Sequence, residues 1–364
     1  MNVTIGGETR HFKTVSFDPE KNSVLLIEQR LLPHEFQVVG TNDFRETAHA
    51  IKDMVVRGAG AIGATAAYGF AQGLRAFSGE GDFEQHIEEV YQTLKRARPT
   101  AVDPVNAMNF IRDKIKAGKT IAEKQAIALK EAEAFAEEDD LHCREIGKQG
   151  VDLIKENARV LTHCNAGWLA FVDYGSATAP IYAAQELGRK FHVYCSETRP
   201  RSQGASLTAW ELAQQGVSHQ VVSDNAAGHI MQRGQVDLVI VGADRVLGKT
   251  GDVANKIGTY TRAVIAARHN IPFYVAIPLS TIDWNLESGF DIPIEDRDES
   301  EVLGAWGVNE SGQRQYVRVA NPGSHAVNPS FDVTPAELIT GIITPVGIFK
   351  PGELLKNRSR LVAG

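Results

Sequence analysis

The segment VLTHCNAG, from Val160 to Gly167, is the point from which the fold of this chain can be predicted. A short apolar run ends abruptly in a polar turn that carries Cys164, and small residues suited to a helix follow. Strand, polar turn and helix in this order are typical of open α/β sheets, which bind ligands at the carboxyl ends of their strands. A cysteine near a helix N-terminus can be activated as a thiolate, but a free cysteine also packs as a small buried hydrophobe.

The pattern that begins at Val160 continues through the second half of the chain. Short apolar runs alternate with helical patterns, which predicts parallel strands joined by helical crossovers and therefore a doubly wound sheet. The predicted strands are 160–161, 191–194, 220–222, 238–241 and 273–277, with helices at 177–187, 206–214, 226–232 and 260–267. The tail from Ile282 is rich in Pro, Gly and Asp, which predicts a loop-rich return with a strand or two.

The first half follows a different pattern. Residues 1–40 alternate β-rich runs with turn residues, which predicts a small antiparallel β unit. Helical patterns follow at 44–55, 61–74, 83–96, 103–116 and 121–156, and the acidic residues 137–140 are predicted to form a solvated helix face. We therefore predict an N-terminal β unit plus helical domain over residues 1–156 and an α/β domain over residues 157–364.

Composition narrows the class of protein. The 364 residues are 43% hydrophobic and 23% charged, as in ordinary globular proteins. A net charge of −7 argues against a nucleic acid or an anionic membrane as partner. We find neither a signal-peptide pattern nor an apolar run of about 20 residues. Three widely spaced cysteines fit neither a disulfide framework nor a CxxC metal site, so a cytoplasmic location is predicted.

Residues 58–63 read GAGAIG and match the GxGxxG fingerprint of dinucleotide-binding folds. That fingerprint requires a strand before it, whereas residues 46–56 have helical character, so a nicotinamide or flavin site is not predicted. Two interpretations remain. Arg57 and the N–H groups of a helix N-terminus can form a phosphate cradle, or the glycines can simply make a tight turn between two helices.

Four polar clusters follow predicted strands of the second half: residues 162–165, 196–203, 224–225 and 242–245. Because the carboxyl ends of parallel strands meet at one edge of a sheet, Cys164 and Asp244 are predicted to face one pocket. A thiol, a carboxylate and several Arg, Lys, Asn and Gln side chains suit proton transfer on a phosphorylated small molecule. Each cluster alone can also be structural, as an N-cap or a surface salt bridge.

Six blocks of the chain, in order, resemble those of the methylthioribose-1-phosphate isomerases of methionine salvage, within the superfamily of the regulatory subunits of translation factor eIF2B. The blocks are RPTAV (98–102), THCNAG (162–167), ETRPRSQGASLTAWEL (197–212), VGADRV (241–246), GDVANKIGTY (251–260) and PLSTIDW (278–284). The resemblance implies a small N-terminal β/helical domain followed by a Rossmann-like doubly wound domain, in a homodimer.

The resemblance also implies roles for single residues. Cys164 and Asp244 become the catalytic pair, and Cys143 and Cys195, which match no motif, are predicted to be structural. The resemblance implies that the substrate is contacted by Arg57, Gly58, Ala59, Arg98, Gln203, Asn255 and Lys256.

The implied reaction converts 5-methylthioribose 1-phosphate into 5-methylthioribulose 1-phosphate. An acid must protonate the ring oxygen to open the sugar, and Asp244 can do so if burial raises its pKa. Hydrogen then moves from C2 to C1, with Cys164 as the thiolate base of an enediol-type route or assisting a direct hydride shift. Arg57, Arg98 and Lys256 supply positive charge for the phosphate, and no metal or redox cofactor is required.

This chain departs from the family pattern around the predicted site. Gly60 stands where a proline is expected, Thr65 where a small apolar residue is usual and Ser206 where arginine is common, while the segment 168–174 is unusually bulky. These departures keep 5-deoxyribose 1-phosphate and, further off, ribose 1,5-bisphosphate as alternative substrates.

A non-enzymatic protein is the alternative of a different class. It would be a subunit related to those of eIF2B that binds a sugar phosphate or nucleotide without turning it over. The simultaneous presence of Cys164 and Asp244 favours the enzyme, because a pure binding subunit has no reason to keep both.

Overall fold

A computed structural model of the chain describes residues 1–98 and 102–362. The chain divides into two compact units, of which the first comprises Met1–Glu145 and Ala166–Ala179 and the second Ile146–Asn165 and Pro180–Gly364. The chain therefore leaves the second unit directly after the turn that carries Cys164. The boundary that we placed between residues 156 and 157 stays a prediction.

The first unit begins with antiparallel strands and continues with helices, as predicted. Strands β1 (Asn2–Ile5) and β2 (Glu8–His11) form a hairpin, and β3 (Val15–Asp18), β4 (Ser23–Ile27) and β5 (Val38–Thr41) form a three-stranded sheet. The helices are α1 (Phe44–Lys52), α2 (Ala59–Arg75), α3 (Phe83–Ala97), α4 (Asp103–Lys114) and α5 (Ile121–Gly150), of which 121–145 lie in this unit.

Helix α2 lies at the centre of the first unit. Its residues from Gly60 to Leu74 are all buried, and most of them are glycine or alanine. Small side chains allow neighbouring helices to approach closely, and apolar residues of α1, α3 and α4 share one core with α2. The side chain of Asp43 accepts hydrogen bonds from two N–H groups of the first turn of α1 and so caps this helix.

The second unit alternates strands and helices around one large sheet. Its elements are β6 (Arg159–Thr162), α6 (Ala179–Glu186), β7 (His192–Ser196), α7 (Ala209–Gln214), β8 (His219–Val222), α8 (Ala226–Gln232), β9 (Leu238–Val241), β10 (Arg245–Leu247), β11 (Val253–Lys256), α9 (Thr259–Arg268), β12 (Phe273–Ala276), β13 (Ile282–Asp283), α10 (Ser300–Leu303), β14 (Gly304–Val308), β15 (Arg314–Arg318), β16 (Phe331–Thr334), β17 (Gly341–Thr344), β18 (Gly347–Phe349) and α11 (Arg358–Leu361).

Seven strands make the central sheet, in the order β18-β17-β12-β9-β6-β7-β8. All neighbouring pairs are parallel except β17 with β18. Numbered along the chain, the six parallel strands stand in the order 3-2-1-4-5-6, which is the Rossmann order and reverses between β6 and β9. The predicted α/β fold class is confirmed.

The prediction of a loop-rich tail with a strand or two is wrong. The described chain forms six strands after Leu279, and β17 adds the sixth parallel strand to the central sheet. Strands β10, β11, β13 and β16 form a second, four-stranded sheet. These strands have two to four residues each, and two of their three pairings join segments more than 30 residues apart in the sequence, so local periodicity does not reveal them.

The helix that we predicted directly after Cys164 is also absent from the described chain. Residues 163–167 are irregular, Trp168–Ala170 form a single 3-10 turn, and the next helix begins only at Ala179. Small residues are compatible with a helix, but here tertiary contacts with the first unit's own strands override that preference, since Thr14 and Gln29 hydrogen-bond to the main chain of this segment. Within the described residues, Cys164 is therefore not directly followed by a helix that could favour its thiolate, whereas a π-helix over Gly204–Thr208 begins after Gln203, whose side chain contacts the thiol.

The acidic stretch of α5 is only partly solvated, which corrects the prediction for residues 137–140. Glu137 and Glu138 are exposed, but Asp139 is buried, and its Oδ2 accepts a hydrogen bond of 2.7 Å from the N–H of Val172. Burial raises the pKa of Asp139 to about 7, and the nearby carboxylate of Asp103 adds to this shift.

Among the helices of the described residues, none combines the length and the apolarity needed to cross a membrane.

Candidate active site

The central sheet places Cys164 and Asp244 after two neighbouring strands. Strands β6 and β9 are paired side by side, with Leu161 opposite Val239. Cys164 follows β6 and Asp244 follows β9, at the point where the strand order reverses. In open α/β sheets the crevice outside the carboxyl ends of such a pair is the usual position of the ligand site.

The turn that carries Cys164 is held from both sides. Its N–H donates a hydrogen bond of 2.8 Å to Thr198 Oγ1, and its carbonyl oxygen accepts one of 2.7 Å from the hydroxyl of Thr208. Cys164 is buried and has a φ of 65°, in the left-handed region. Its Sγ lies 3.3 Å from Gln203 Oε1, to which the thiol donates. The structure thus brings Cys164 and Gln203, two residues of the predicted site, into contact.

The neighbours of Cys164 are fixed as well. Burial lowers the pKa of His163 well below its ordinary value, and the nearby Arg262 charge adds to this effect. Its Nε2 lies 2.9 Å from the carbonyl oxygen of Ile257, which can only accept, so we assign the proton of the neutral ring to Nε2. On the other side, the amide of Asn165 donates to the buried carboxylate of Glu211 at 2.8 Å.

Gln203 belongs to the loop 197–203, which an ion pair and several hydrogen bonds hold in place. The guanidinium of Arg199 donates to the carbonyl oxygens of Glu301, Val302 and Gly304 at the end of α10. Arg201 pairs with the carboxylate of Glu301 at 2.8 Å, and Arg297 pairs with the same carboxylate at 2.7 Å. The predicted surface loop with salt bridges is therefore present, and it also carries a residue that contacts Cys164.

The turn that carries Asp244 is much more open. Asp244 is exposed, and its N–H donates to the carbonyl oxygen of Ala254 on β11. The burial that we set as a condition for the acid role of Asp244 is thus not found within the described chain. The next residue, Arg245, lies on β10 and pairs with Asp283 at 3.1 Å.

Asn255 and Lys256 lie on strand β11 and not in a turn. The buried amide of Asn255 donates to Thr259 Oγ1, at the start of α9. Lys256 is half-buried, with its ammonium nitrogen 4.8 Å from the centre of the Phe331 ring. Strand geometry places successive side chains on opposite faces, so these two residues project in opposite directions.

In the first unit, the segment predicted as a phosphate cradle or a tightly packed turn is a helix N-terminus, and a Cβ atom on Gly58 would collide with the main chain of Ala170. Helix α2 begins at Ala59, and Gly58 is its N-cap residue, with a φ of 93° and without a side-chain cap. Arg57 precedes this N-terminus and is buried. Helix α1 and a turn precede the glycines, so the helical lead-in that argued against a dinucleotide fingerprint is confirmed. Free N–H groups and the positive end of the helix dipole at such a site suit a phosphate.

Arg98 follows α3 as its C-cap residue and is half-buried. Residues 99–101 of the RPTAV block lie outside the described residues, and Val102 is the N-cap residue of α4.

Two of the departures from the family pattern, Gly60 and the bulky segment 168–174, pack against each other. A Cβ atom on Gly60 would lie 2.6 Å from the Phe171 ring and would collide with the Asp139 carboxylate. Phe171 belongs to the bulky segment 168–174, so the bulk there occupies space that Gly60 leaves open. Both changes are part of the packing of the first unit.

A model of the initiation factor 2 subunit family matches residues 55–351 of this chain. The chain belongs to this family. It is 48% identical over 352 residues to a protein of Brucella anthropi named methylthioribose-1-phosphate isomerase, covering 94% of this chain and 95% of that protein.

Two solved structures of the family are also similar. One, from Pyrococcus horikoshii, is titled 5-methylthioribose 1-phosphate isomerase and has a TM-score of 0.86 and 40% identity, covering 97% of this chain and 96% of that one. The other, from A. fulgidus, is titled translation initiation factor eIF-2B, subunit delta, and has a TM-score of 0.82 and 37% identity, covering 95% and 100%. The curated relatives confirm the prediction of an aldose–ketose isomerase.

Sequence reasoning missed the residues of this family member that hold the Cys164 turn. Thr198, Asp224 and Arg262 are joined to that turn by hydrogen bonds, yet the prediction assigned none of them a role. Thr198 and Asp224 do lie in the polar clusters that follow β7 and β8, which was an available signal. Arg262 lies on α9, and nothing in its local sequence indicates that its side chain is buried.

Proposed function

We propose that this chain converts 5-methylthioribose 1-phosphate into 5-methylthioribulose 1-phosphate, with Cys164 and Asp244 as the catalytic pair. The observation that carries the proposal is the position of these residues after the adjacent strands β6 and β9, where the strand order reverses. The names of relatives at 48% and 40% identity support this choice of substrate.

Asp244 is the proposed acid. It donates a proton to the ring oxygen of the sugar as the bond between that oxygen and C1 breaks. Because Asp244 is exposed in the described chain, we propose that the bound substrate itself excludes water from this carboxyl group. The proton is then delivered in a less polar environment than the free enzyme presents.

Cys164 is the proposed group for hydrogen transfer. As a thiolate it removes the proton from C2 and, after the enediol-type intermediate has formed, returns a proton to C1. In the alternative route it assists a hydride shift from C2 to C1. In both routes the 2-hydroxyl group releases its proton to solvent as the C2 carbonyl forms, which balances the proton that Asp244 gives to the ring oxygen. Both routes rearrange the hydrogens of one molecule and need no external oxidant or reductant. Rotation of the Gln203 amide would place its NH2 group at the sulfur, where it would stabilise a thiolate.

The remaining residues are proposed to bind the substrate. In the second unit, Gln203, Asn255 and Lys256 supply polar groups and one positive charge. In the first unit, Arg57, Gly58 and Ala59 form the predicted phosphate cradle at the N-terminus of α2, and Arg98 adds a further positive charge. A homodimer in the cytoplasm that needs no metal or redox cofactor stays our prediction.

A binding subunit without turnover is the second candidate, because a structure at 37% identity is titled as a subunit of eIF-2B. The arrangement of Cys164, Gln203 and Asp244 favours the isomerase. A subunit that only holds its ligand has no need for a buried thiol with a hydrogen-bonding partner.

A turnover assay tests the proposal. We expect kcat/KM to be higher for 5-methylthioribose 1-phosphate than for 5-deoxyribose 1-phosphate when neither metal nor nucleotide is added. The reverse preference would show that the departures at Ser206 and in segment 168–174 have changed the substrate. Absence of turnover with both sugars, in a folded sample that binds a sugar phosphate or nucleotide in calorimetry, would favour the binding subunit.

A further inference from the structure

Cys164 and Thr198 both have an uncommon backbone conformation, and a hydrogen bond joins them. Their φ angles are 65° and 66°, both in the left-handed region. This conformation is uncommon for residues other than glycine, and for a β-branched residue such as threonine it is an outlier. Strained backbone of this kind persists only where the surroundings hold it, and it clusters at functional sites. The hydrogen bond of 2.8 Å from the Cys164 N–H to Thr198 Oγ1 connects the two.

The hydroxyl of Thr198 lies within hydrogen-bonding distance of three groups: the Cys164 N–H, the Ser196 carbonyl and the His163 ring. Its oxygen accepts from Cys164, and it lies 2.9 Å from the carbonyl oxygen of Ser196 and 3.3 Å from Nδ1 of His163. With the His163 proton assigned to Nε2, both of these neighbours are acceptors for the single hydroxyl proton. One oxygen atom therefore connects the turn after β6 with the loop after β7.

Asp224 holds Thr198 in this position. Its carboxylate accepts the N–H of Thr198 at 3.0 Å and the N–H of Arg199 at 2.7 Å. The same carboxylate pairs with the buried guanidinium of Arg262 at 2.6 Å, and Arg262 also donates to Ser196 Oγ at 3.0 Å. Charge-assisted hydrogen bonds of this kind are stronger and geometrically more exacting than neutral ones.

We propose that Thr198 and Asp224 are positioning residues for Cys164. Asp224 fixes the start of loop 197–203, and the Thr198 hydroxyl holds the main chain of Cys164 in the left-handed conformation that directs its thiol to Gln203. The proposal rests on the proposed role of Cys164 in hydrogen transfer. Displacement of a reacting group by about 1 Å can cost roughly 100-fold in rate, so such contacts are expected to matter for turnover.

The test compares Thr198→Val, which removes the hydroxyl but keeps the branched shape, with Thr198→Ser, which keeps the hydroxyl. We expect Thr198→Val to lower kcat at least about tenfold with KM changed less than about threefold, and Thr198→Ser to restore kcat to within about threefold. The matched control is Thr340→Val. Thr340 Oγ1 also accepts a main-chain N–H, that of Phe273 at 2.9 Å, at the start of β12.

A second readout does not depend on catalysis. Iodoacetamide labelling, followed by mass spectrometry of each cysteine peptide, measures how accessible the three thiols are. All three are free and buried in the structure. We expect Cys164 to be labelled at least about fivefold faster in Thr198→Val, while Cys143 and Cys195 stay as slow as in the unmodified protein and so report an intact fold.

Several outcomes would overturn the proposal. Equal kinetics for Thr198→Val and Thr198→Ser would show that the hydroxyl has no positioning role, and so would an unchanged labelling rate of Cys164 in Thr198→Val. If Thr198→Val fails to fold, Asp224→Asn decides: a folded Asp224→Asn protein with unchanged Cys164 labelling excludes the proposal, and faster labelling supports it. Because labelling needs no substrate, it tests the positioning of Cys164 even if the protein does not turn over 5-methylthioribose 1-phosphate. Failure of the proposed isomerase activity and failure of the positioning role would therefore give different results.

Discussion

The turns after β6 and β9 lie next to each other in the sheet, yet their environments differ. The Cys164 turn is buried, and its main-chain N–H and carbonyl groups are bound by Thr198 and Thr208. The Asp244 turn is anchored through the main chain to Ala254, and its side chain is exposed. The turn of the thiol is thus enclosed by side chains of its own unit, whereas the carboxyl group of Asp244 is open to solvent.

This difference follows from what each group has to do in the proposed reaction. A group that removes a hydrogen atom from carbon has to be aligned closely with that atom, and a rigid buried turn provides the alignment. A carboxylic acid that donates its proton has to recover one from water between turnovers, and an exposed position allows this.

Removal of either proposed catalytic group, Cys164 or Asp244, should have the largest effect. We expect Cys164→Ser and Asp244→Asn each to lower kcat by at least about 100-fold, the contribution typical of general acid–base groups. Both proteins should keep the circular dichroism spectrum and melting temperature of the unmodified chain to within a few degrees. Asp113→Asn, which changes an exposed carboxylate of α4, serves as the control. Near-normal kcat in either variant would remove that residue from the mechanism.

Glu301→Gln tests the ion pairs that hold the loop beside Cys164. Burial opposes ionisation of Glu301, but hydrogen bonds and charges from Arg297 and Arg201 outweigh it and lower its pKa from 4.5 to about 2. Its carboxylate therefore contributes stability that is present above pH 4.5 and is lost as the pH falls towards 2. The shift corresponds to roughly 3 kcal/mol.

We expect Glu301→Gln to lower the free energy of unfolding at pH 7 by up to about 3 kcal/mol, and the difference from the unmodified protein to narrow below pH 4.5. Urea titrations at several pH values measure this difference. The control is Glu310→Gln, in the exposed turn between β14 and β15. A difference that does not change with pH would show that the ionisation of Glu301 does not stabilise the loop.

Gly204→Ala tests how tightly the same loop packs on β7. A Cβ atom at this position would lie 2.8 Å from Thr198 Oγ1 and would collide with the carbonyl oxygen of Ser196. We expect a loss of roughly 1–3 kcal/mol in the free energy of unfolding, as is usual for overpacking, together with a lower kcat. In Gly352→Ala, the control, the new methyl group meets open space. Equal stability of the two variants would contradict the close packing.

Ser206→Ala should have the smallest effect. Ser206 Oγ donates to the carbonyl oxygen of Ser202, one turn earlier, at 2.8 Å. We expect a loss of about 0.5–1 kcal/mol in thermal unfolding and a kcat within about twofold of the unmodified protein. Thr93→Ala removes a hydrogen bond of the same pattern in α3 and should cost about as much. A large loss of kcat in Ser206→Ala alone would place this departure from the family pattern in the substrate site.

Much of the architecture could be predicted because its signals are local. The apolar runs at 160–161 and 238–241 become β6 and β9, and the capping residue Asp43 is followed by α1. The position of Cys164 at a strand end follows from eight consecutive residues. Short strands such as β10 and β17 could not be predicted, since two or three apolar residues are equally compatible with a loop until a distant partner is known.

In the candidate site, too, some features can be predicted from local sequence and others depend on the fold. The chemical groups that follow each strand could be predicted, since residue type and local periodicity depend only on nearby residues. The pairing of β6 with β9, the absence of a helix directly after the Cys164 turn, and the exposure of Asp244 and burial of Asp139 are seen only in the folded chain. Strand order, burial and the hydrogen bonds of Thr198, Asp224 and Arg262 depend on contacts between residues tens of positions apart, and such contacts leave no periodic pattern in the chain.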